Sequence, residues 1–209
     1  MKLQTILFRL KNIQEETNEN KRKENFDNLV YELEQNIKME VAKSKGDQNR
    51  LKSARQVLKE GLCKSRDILK KAIIKDDKMI LTNGYVAFEL KDFITGIETH
   101  DNSLKESYPD IKRVMEKQKD FKIFSVLELK QSLSVLRKNE AINLNITDNL
   151  NLKLNSTYLE QIINILDFNK NDVITIYFNA EHKNTNNLLT SNIYIENKEN
   201  KAVIVPMNS

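Results

Sequence analysis

The side chains that most often carry catalytic chemistry are scarce in this sequence of 209 residues. It contains one cysteine, Cys63, and two histidines, His100 and His182, which stand in polar stretches. No histidine lies close enough to Cys63 to predict a nucleophile pair, and the sequence has no phosphate-binding loop, nucleophile elbow or metal-spaced carboxylates. The acidic pair Asp76-Asp77 is better explained as a turn. We therefore expect no enzymatic activity, no metal and no cofactor, with Cys63 an inert thiol near a helix end.

The charge of the chain permits binding to nucleic acid without requiring it. The formal net charge of +4 comes from 34 basic and 30 acidic residues, which are interspersed along the chain. No apolar run reaches the roughly eighteen residues needed to span a bilayer, and the first ten residues do not resemble a signal peptide. A cytoplasmic protein with no membrane partner is expected. The abundance of Asn, Lys and Ile is typical of an AT-rich genome, which suggests a low-GC bacterium, its phage or a mobile element.

Three helices are predicted to precede the first strand. Residues 1 to 45 contain no glycine or proline, and their apolar residues recur at helical spacing in two stripes. The stripes are Leu3, Ile6, Leu7, Leu10 and Ile13, then Phe26, Leu29, Val30, Leu33 and Ile37. The polar run between them is either a loop or a solvated continuation. After a boundary at Gly46 and Asp47, a third helix is predicted from about Leu51 to Leu62, with Leu51, Ala54, Leu58 and Leu62 buried.

The segment "LTNGYVAFEL", residues 81 to 90, predicts a β-hairpin. Asn83-Gly84 lies between two apolar runs, and Asn-Gly is a strong hairpin signal because both turn residues must tolerate positive φ. A second turn is predicted at Asp76-Asp77. Residues 70 to 90 should therefore form about three short antiparallel strands.

From Phe121 the sequence repeats itself at an offset of 30 residues, so that Leu129 aligns with Leu159. Each copy reads as a strand, a helix and a following strand. Ile142 and Leu144 alternate with polar residues, as expected of a half-buried strand. "VITIYF", "SNIYIE" and "KAVIVPM" predict three strands near the end of the chain. Because two copies are too few for a solenoid, we expect a pseudo-symmetric domain in which helices pack on one face of an antiparallel sheet.

Four motifs resemble the bacterial DNA polymerase III sliding clamp, or β subunit. "LTNGYVAF" is similar to the family's "TDGHRLA" or "TDGYRAF" turn, and "YPDIKRVM" is similar to "FPDYRRVLP". "LNSTYLEQIINIL" is similar to the helix "FNxxYLxDxLxxL", and "AVIVPM" to the terminal "VVMPM". They occur in the family's order between about Leu51 and Met207. The resemblance implies an α+β fold, in which a helical segment is followed by clamp-like, pseudo-symmetric strand-helix-sheet units with antiparallel sheets.

The resemblance is to a shortened clamp. We expect residues 1–46 to form a helical amino-terminal extension, 47–115 a partial clamp-like unit of one helix and the β-meander, and 116–209 a reduced clamp-like domain with the internal repeat. The family's first domain has no counterpart here. Whether a ring or another homo-oligomer forms stays open.

Clamps bind short peptides of partner proteins in a hydrophobic pocket between their middle and last domains. Carried over to the matching positions, this pocket would consist of Leu69, Thr82, Gly84, Ala87, Pro109, Val114, Val205, Pro206 and Met207. The resemblance implies an interaction module of DNA replication that binds replication proteins carrying clamp-binding peptides. It would act as a reduced processivity factor or as a decoy for the host clamp. Taken singly, Gly84 is better explained as a hairpin glycine and each apolar residue as core, but the set as a whole favours a pocket.

The resemblance also implies contact with duplex DNA, because clamp helices face phosphates with basic side chains. The candidates on one face of the third predicted helix are Lys52, Arg55 and Lys59. Lys130 and Arg137 are predicted to share a face of the first repeat helix. The second repeat helix instead carries Glu160, Gln161 and Asn164 on its polar face. Any binding to DNA is therefore expected to be weak and non-specific.

The segment "QTILF", residues 4 to 8, has the form of a clamp-binding motif of glutamine, two variable residues, leucine and phenylalanine. Leu7 and Phe8 would be apolar anchors, and Gln4 would supply a hydrogen-bonding end. Such a motif could dock into the pocket of this chain or of a neighbour, or recruit the host clamp. The alternative is that Leu7 simply belongs to the helical stripe with Leu3 and Leu10.

A second class of function also fits the sequence, namely a helical DNA-binding regulator with a sheet-mediated dimer. Binding of a clamp-binding peptide without tight binding of duplex DNA would favour the clamp-like module.

Overall fold

The amino-terminal unit of the computed structural model, residues 1–48, is a hairpin of two helices. The structure describes residues 3–60, 67–100 and 108–207 of the chain. Helix α1 spans Leu3–Glu15 and helix α2 spans Glu19–Ser44, as the two stripes predict. Most of the polar run between the stripes is helical, because the side chain of Asn18 accepts a hydrogen bond from the N–H of Lys21 and caps α2.

Only part of each predicted stripe is buried in this hairpin. Ile13 and Leu29 are buried, and an ion pair joins Arg9 of α1 to Glu32 of α2. Leu7 and Ile37, by contrast, are more than half exposed. In the part of the chain that the structure describes, no helix is both long enough and apolar enough to cross a membrane.

The second unit, residues 49–209, begins with helix α3, Gln48–Glu60. Leu51, Ala54 and Leu58 are buried as predicted. Leu62 and Cys63, for which burial and a position near a helix end were predicted, lie outside the described residues.

The predicted β-meander is confirmed. Its strands are β1 (Ile73–Lys75), β2 (Lys78–Thr82) and β3 (Val86–Leu90), and they follow a short 3-10 helix, Asp67–Lys70. They pair antiparallel in sequence order.

The two turns of the meander differ in backbone conformation, and the Asn83-Gly84 turn departs from its prediction. Asp76 and Asp77 both have positive φ, 53° and 57°, as in a type I′ turn. In the other turn only Gly84 has positive φ, 90°, so the prediction that Asn83 adopts it too is wrong. Asn83 acts through its side chain instead, because Oδ1 accepts hydrogen bonds of 2.9 Å from the N–H groups of both Tyr85 and Val86.

The repeat is confirmed at the level of its elements. The first copy consists of β4 (Asp120–Ser125), α4 (Val126–Ser134) and β5 (Ala141–Thr147). The second copy consists of β6 (Leu150–Asn155), α5 (Ser156–Ile165) and β7 (Val173–Phe178). The helix caps repeat as well: Ser125 caps α4 and Asn155 caps α5, each through a side-chain oxygen that accepts backbone N–H groups.

The strands form two antiparallel sheets, as the resemblance implies, and not the one sheet expected from the repeat alone. With β8 (Ile193–Asn197) and β9 (Asn200–Ile204), the main sheet has seven antiparallel strands in the order β1-β2-β3-β9-β8-β7-β4. Strands β5 and β6 form a separate two-stranded sheet, because the short turn between them pairs them with each other. Helix α5 packs against β6 and β9, while α4 contacts β4 and α5. The meander and the repeat thus share one sheet through the pairing of β3 with β9.

Candidate functional site

A cavity of about 410 Å³ lies beside the turn that contains Gly84. Seven of the nine residues predicted to form a pocket line it: Leu69, Thr82, Gly84, Ala87, Pro109, Val114 and Val205. These residues come from the 3-10 helix, the β2–β3 hairpin, the segment after residue 108 and the end of β9. The fold therefore gathers side chains that lie far apart in the sequence.

Pro206 and Met207 do not line this cavity. Pro206 is buried, and the N–H of Met207 donates a hydrogen bond of 2.8 Å to the carbonyl of Lys153 in β6. The chain beyond β9 thus runs toward β6 after Val205, which is why the last two predicted residues are separated from the rest.

Six residues of the cavity wall were not predicted: Tyr85, Val86, Asp110, Ile111, Asn192 and Val203. Five of them carried a usable signal. Val203 precedes Val205 by two residues along an extended strand and so shares its face. Tyr85 and Val86 lie inside the motif that contains Gly84. Asp110 and Ile111 lie inside the motif that contains Pro109. We find no sequence signal for Asn192.

The cavity floor is built by the pairing of β3 with β9, in which Ala87 stands opposite Val203. Ala87 also belongs to a buried apolar cluster with Leu69, Tyr108 and Ile111. Beyond the last residue of β9, the N–H of Val205 donates a hydrogen bond of 2.9 Å to the carbonyl of Tyr85. This bond ties the end of the last strand to the hairpin turn and fixes both walls of the cavity.

Two polar side chains of the wall make hydrogen bonds within the protein. The hydroxyl of Thr82 donates to the carbonyl of Val86 at 2.8 Å and accepts from the N–H of Gly84 at 3.1 Å. Among the described residues that line the cavity, Asp110 is the only carboxylate, and its Oδ1 accepts the N–H of Lys112. Most of the other lining side chains are aliphatic, so the cavity offers a mainly apolar surface.

A salt bridge anchors the segment that follows residue 108. Nζ of Lys112 lies 3.0 Å from Oδ2 of Asp76 in the β1–β2 turn. The hydrogen bond from Lys112 lowers the pKa of Asp76, and the same bond raises the pKa of Lys112. Since both side chains are exposed, solvent screens this pair. The salt bridge therefore adds little to stability, and its main effect is to hold the segment after residue 108 beside the β1–β2 turn.

The turn also contacts α5. The rings of Tyr85 and Tyr158 stack, with their centroids 5.9 Å apart. Burial, followed by the nearby carboxylate of Glu60, raises the pKa of Tyr158, so this phenol stays neutral at physiological pH. Tyr85 is thus held at the edge of the cavity by a neutral aromatic contact.

The five candidate DNA-facing residues occupy different environments. Lys52 and Lys59 are exposed on α3, whereas Arg55 is partly buried. Lys130 is also partly buried, with Nζ 3.4 Å from the carbonyl of Phe168. The prediction that Arg137 shares a face of α4 with Lys130 is wrong, because α4 ends at Ser134 and Arg137 lies beyond its C-cap.

The polar face of the second repeat helix is only partly solvated, because Glu160 is exposed but its neighbours are not. Gln161 is buried and donates to Glu60 of α3, and Asn164 donates to the hydroxyl of Ser53. These contacts join two helices of the same unit, so Gln161 and Asn164 act as packing groups.

The candidate motif Gln4, Leu7 and Phe8 lies on α1 in helical conformation. All three side chains are exposed, with Phe8 64% exposed. The hairpin therefore does not use Phe8 for packing.

The two histidines lie in connecting segments. His100 and His182 both stand outside helices and strands, and Nε2 of His100 lies 2.7 Å from the carbonyl of Ile68. Within the described ranges, no group of three His, Cys, Asp or Glu side chains is arranged to hold a metal ion.

Comparison with known proteins gives a structural likeness but no sequence match. No protein-family model and no curated protein matches the chain. The DNA polymerase III β subunit of Thermotoga maritima matches with a TM-score of 0.50 at 10% identity, covering 77% of this chain and 62% of that one. The β subunit of Borrelia burgdorferi matches with a TM-score of 0.49 at 15% identity, covering 78% and 62%. The β subunit of Streptococcus pyogenes matches with a TM-score of 0.48 at 14% identity, covering 76% and 64%.

The match with the Thermotoga maritima protein shows that the chain has a clamp-like α+β fold with antiparallel sheets, as the four motifs predict. At such low identity the likeness concerns the fold alone. The chain spans less than two thirds of the length of these clamps.

Proposed function

We propose that this chain is a non-enzymatic, sliding-clamp-like interaction module of DNA replication, which holds short peptide segments of partner proteins in the cavity beside Gly84. The observation that most supports this proposal is the convergence of seven residues, transferred from the family's peptide pocket, on one cavity. These residues converge although the chain spans less than two thirds of the length of the clamps that it matches.

The cavity suits apolar anchors presented by an extended segment. Its volume falls within the range of sites that bind small ligands and peptide side chains, and its wall is mostly aliphatic. Burying two apolar anchor side chains contributes about 3–6 kcal/mol. Since a Kd of 1 mM corresponds to about 4 kcal/mol and 1 μM to about 8 kcal/mol, we expect binding in the micromolar range or weaker.

The proposal leaves a minor role for DNA. Lys52 and Lys59 are the exposed candidates on α3, and two neighbouring cations support only weak, salt-sensitive contact with phosphates. The competing regulator would need tight binding to duplex DNA. A reduced processivity factor would raise the length of products in a primer-extension assay, whereas a decoy for the host clamp would lower it.

The test is a titration of the full chain into a fluorescein-labelled peptide containing Gln-x-x-Leu-Phe, followed by fluorescence anisotropy, with labelled duplex DNA in parallel. We expect peptide binding, and a loss of at least tenfold in affinity for the double variant Val114→Glu with Val205→Glu, because both side chains line the cavity and are partly exposed. The control is Val135→Glu, at a valine that is 82% exposed and lies outside the cavity wall. An unchanged affinity in the double variant, or tight DNA binding without peptide binding, would overturn the proposal.

A further inference from the structure

The helical hairpin carries an apolar face that its own packing does not cover. Four residues of α2, Phe26, Val30, Ile37 and Val41, project from one side of the helix and are each more than a third exposed; they are called the α2 stripe below. Leu10 of α1 borders the same face, in a groove that it shares with Phe26. Helix α1 has 13 residues and α2 has 26, lengths of about 20 Å and about 39 Å, so α1 cannot cover α2 from end to end.

The spacing of the α2 stripe is the same read in either direction. Steps of 4, 7 and 4 residues separate its members. If a second α2 helix lies antiparallel across the first, with the twofold axis between Leu33 and Glu34, then Phe26 faces Val41 of the copy and Val30 faces Ile37 of the copy. This reciprocal pairing is what a twofold-symmetric, isologous interface requires.

The exposed area is also sufficient for a weak dimer. The exposed fractions of Leu10 and the four stripe residues together equal a little more than two whole side chains. At about 150 Å² per large apolar side chain this amounts to about 340 Å² per copy, or about 680 Å² for the pair. Because roughly 60% of an interface is apolar, the whole interface would bury about 1,100 Å², just above the lower bound of about 1,000 Å² for a specific contact.

From the self-complementary spacing and this area we infer that the α2 stripe is the docking face for a second copy of this chain, paired antiparallel through α2. The interface is small, so the dimer forms in a concentration-dependent manner in the micromolar range or above. This inference concerns the hairpin and does not rest on the proposed function of the cavity.

Sedimentation equilibrium of the full chain, from low micromolar to submillimolar concentration, tests the inference. The apparent mass should rise from that of one chain, 24.4 kDa, toward twice that value. The variant Val30→Glu with Ile37→Glu should stay monomeric throughout, because it would bury four carboxylates at the centre of the interface. The control, Asn28→Glu with Tyr31→Glu, adds the same charge on exposed positions away from the stripe and should dimerise as the natural chain does.

A crosslinking experiment tests the register and does not depend on a destabilising variant. In a Cys63→Ser background, Val30→Cys with Ile37→Cys should form disulfide-linked dimers on mild oxidation. Asn28→Cys with Tyr31→Cys should not. A natural chain that is monomeric at every concentration, a double-glutamate variant that still dimerises with normal helicity, or equal crosslinking of the two cysteine pairs would overturn the inference.

Discussion

Asn83 gives the sharpest test of how the hairpin turn beside the cavity is held. If asparagine served this turn through its tolerance of positive φ, then glycine at position 83 would be neutral or stabilising. The structure shows instead that Asn83 is fully buried, and that its Oδ1 accepts the N–H groups of Tyr85 and Val86 at 2.9 Å each. Replacement by glycine or alanine should therefore be destabilising to a similar degree.

The size of the effect follows from the two hydrogen bonds. Each contributes about 1 kcal/mol net, and a buried donor left without a partner costs about 1–3 kcal/mol. We expect Asn83→Ala and Asn83→Gly each to lower the free energy of unfolding by about 2–4 kcal/mol. For a domain of this size the lower figure corresponds to a fall in Tm of about 4–8 °C.

The measurement is urea denaturation of the full chain, followed by circular dichroism. The matched control is Asn139→Gly, at an exposed asparagine with φ of 63°, where glycine relieves backbone strain and should be neutral or stabilising by up to about 1 kcal/mol. The same substitution should thus have opposite effects at the two positions. Asn83→Gly with the stability of the natural chain would refute the reasoning.

Two further predictions concern buried polar groups. Arg50→Met should lower the free energy of unfolding by about 2–4 kcal/mol in urea denaturation. The reason is that the carbonyls of Ile165 and Asp92 lose guanidinium donors, which lie at 3.0 and 3.1 Å. A loss below about 0.5 kcal/mol, the scale of a neutral surface change, would contradict this prediction. Burial and a hydrogen bond to the Glu196 carboxylate raise the pKa of Tyr194. The unfolded chain therefore loses this proton first, and the free energy of unfolding should fall as pH rises above about 10. Tyr194→Phe should make that fall shallower between about pH 9.5 and 11, and an unchanged slope would contradict the assignment.

Much of the fold of the second unit, residues 49–209, was predictable because its local sequence patterns agree with its tertiary packing. The 30-residue repeat predicts strand, helix and strand twice, and the caps Ser125 and Asn155 stand at the same offset. The repeat pattern did not predict which strand pairs with which. The alternation of Ile142 and Leu144 predicts a strand with one buried face, but it does not predict that β5 pairs with β6 in a sheet of its own.

The cavity was predictable only as far as motif positions carry information. Thr82 and Val114 could be transferred because they lie in motifs, and the structure brings them together. Met207 could not be placed, since its direction depends on a backbone hydrogen bond to Lys153, which has no sequence signature. Asn192 lies in a connection before β8 and reaches the wall only through the pairing of β8 with β9.

The two repeat helices show why equal sequence patterns need not give equal surfaces. Helix α5 buries most of its residues, Gln161 among them, because α3 meets its polar side and provides Glu60 and Ser53 as partners. Burial alone would raise the pKa of Glu60, but the hydrogen bonds from Lys138, Gln56 and Gln161 outweigh it and lower the pKa, so the carboxylate stays charged as an acceptor.

Helix α4 has the same place in its copy of the repeat, but only Val126 and Leu129 of its residues are buried, and Leu127 is 45% exposed. A polar residue on a repeat helix is therefore a packing group where a third helix covers it and a surface group where none does. Because α3 precedes both copies in the chain, the repeat itself holds no information about which copy α3 covers. For this reason the polar residues of α5 could be recognised in the sequence, but their role could be assigned only from the structure.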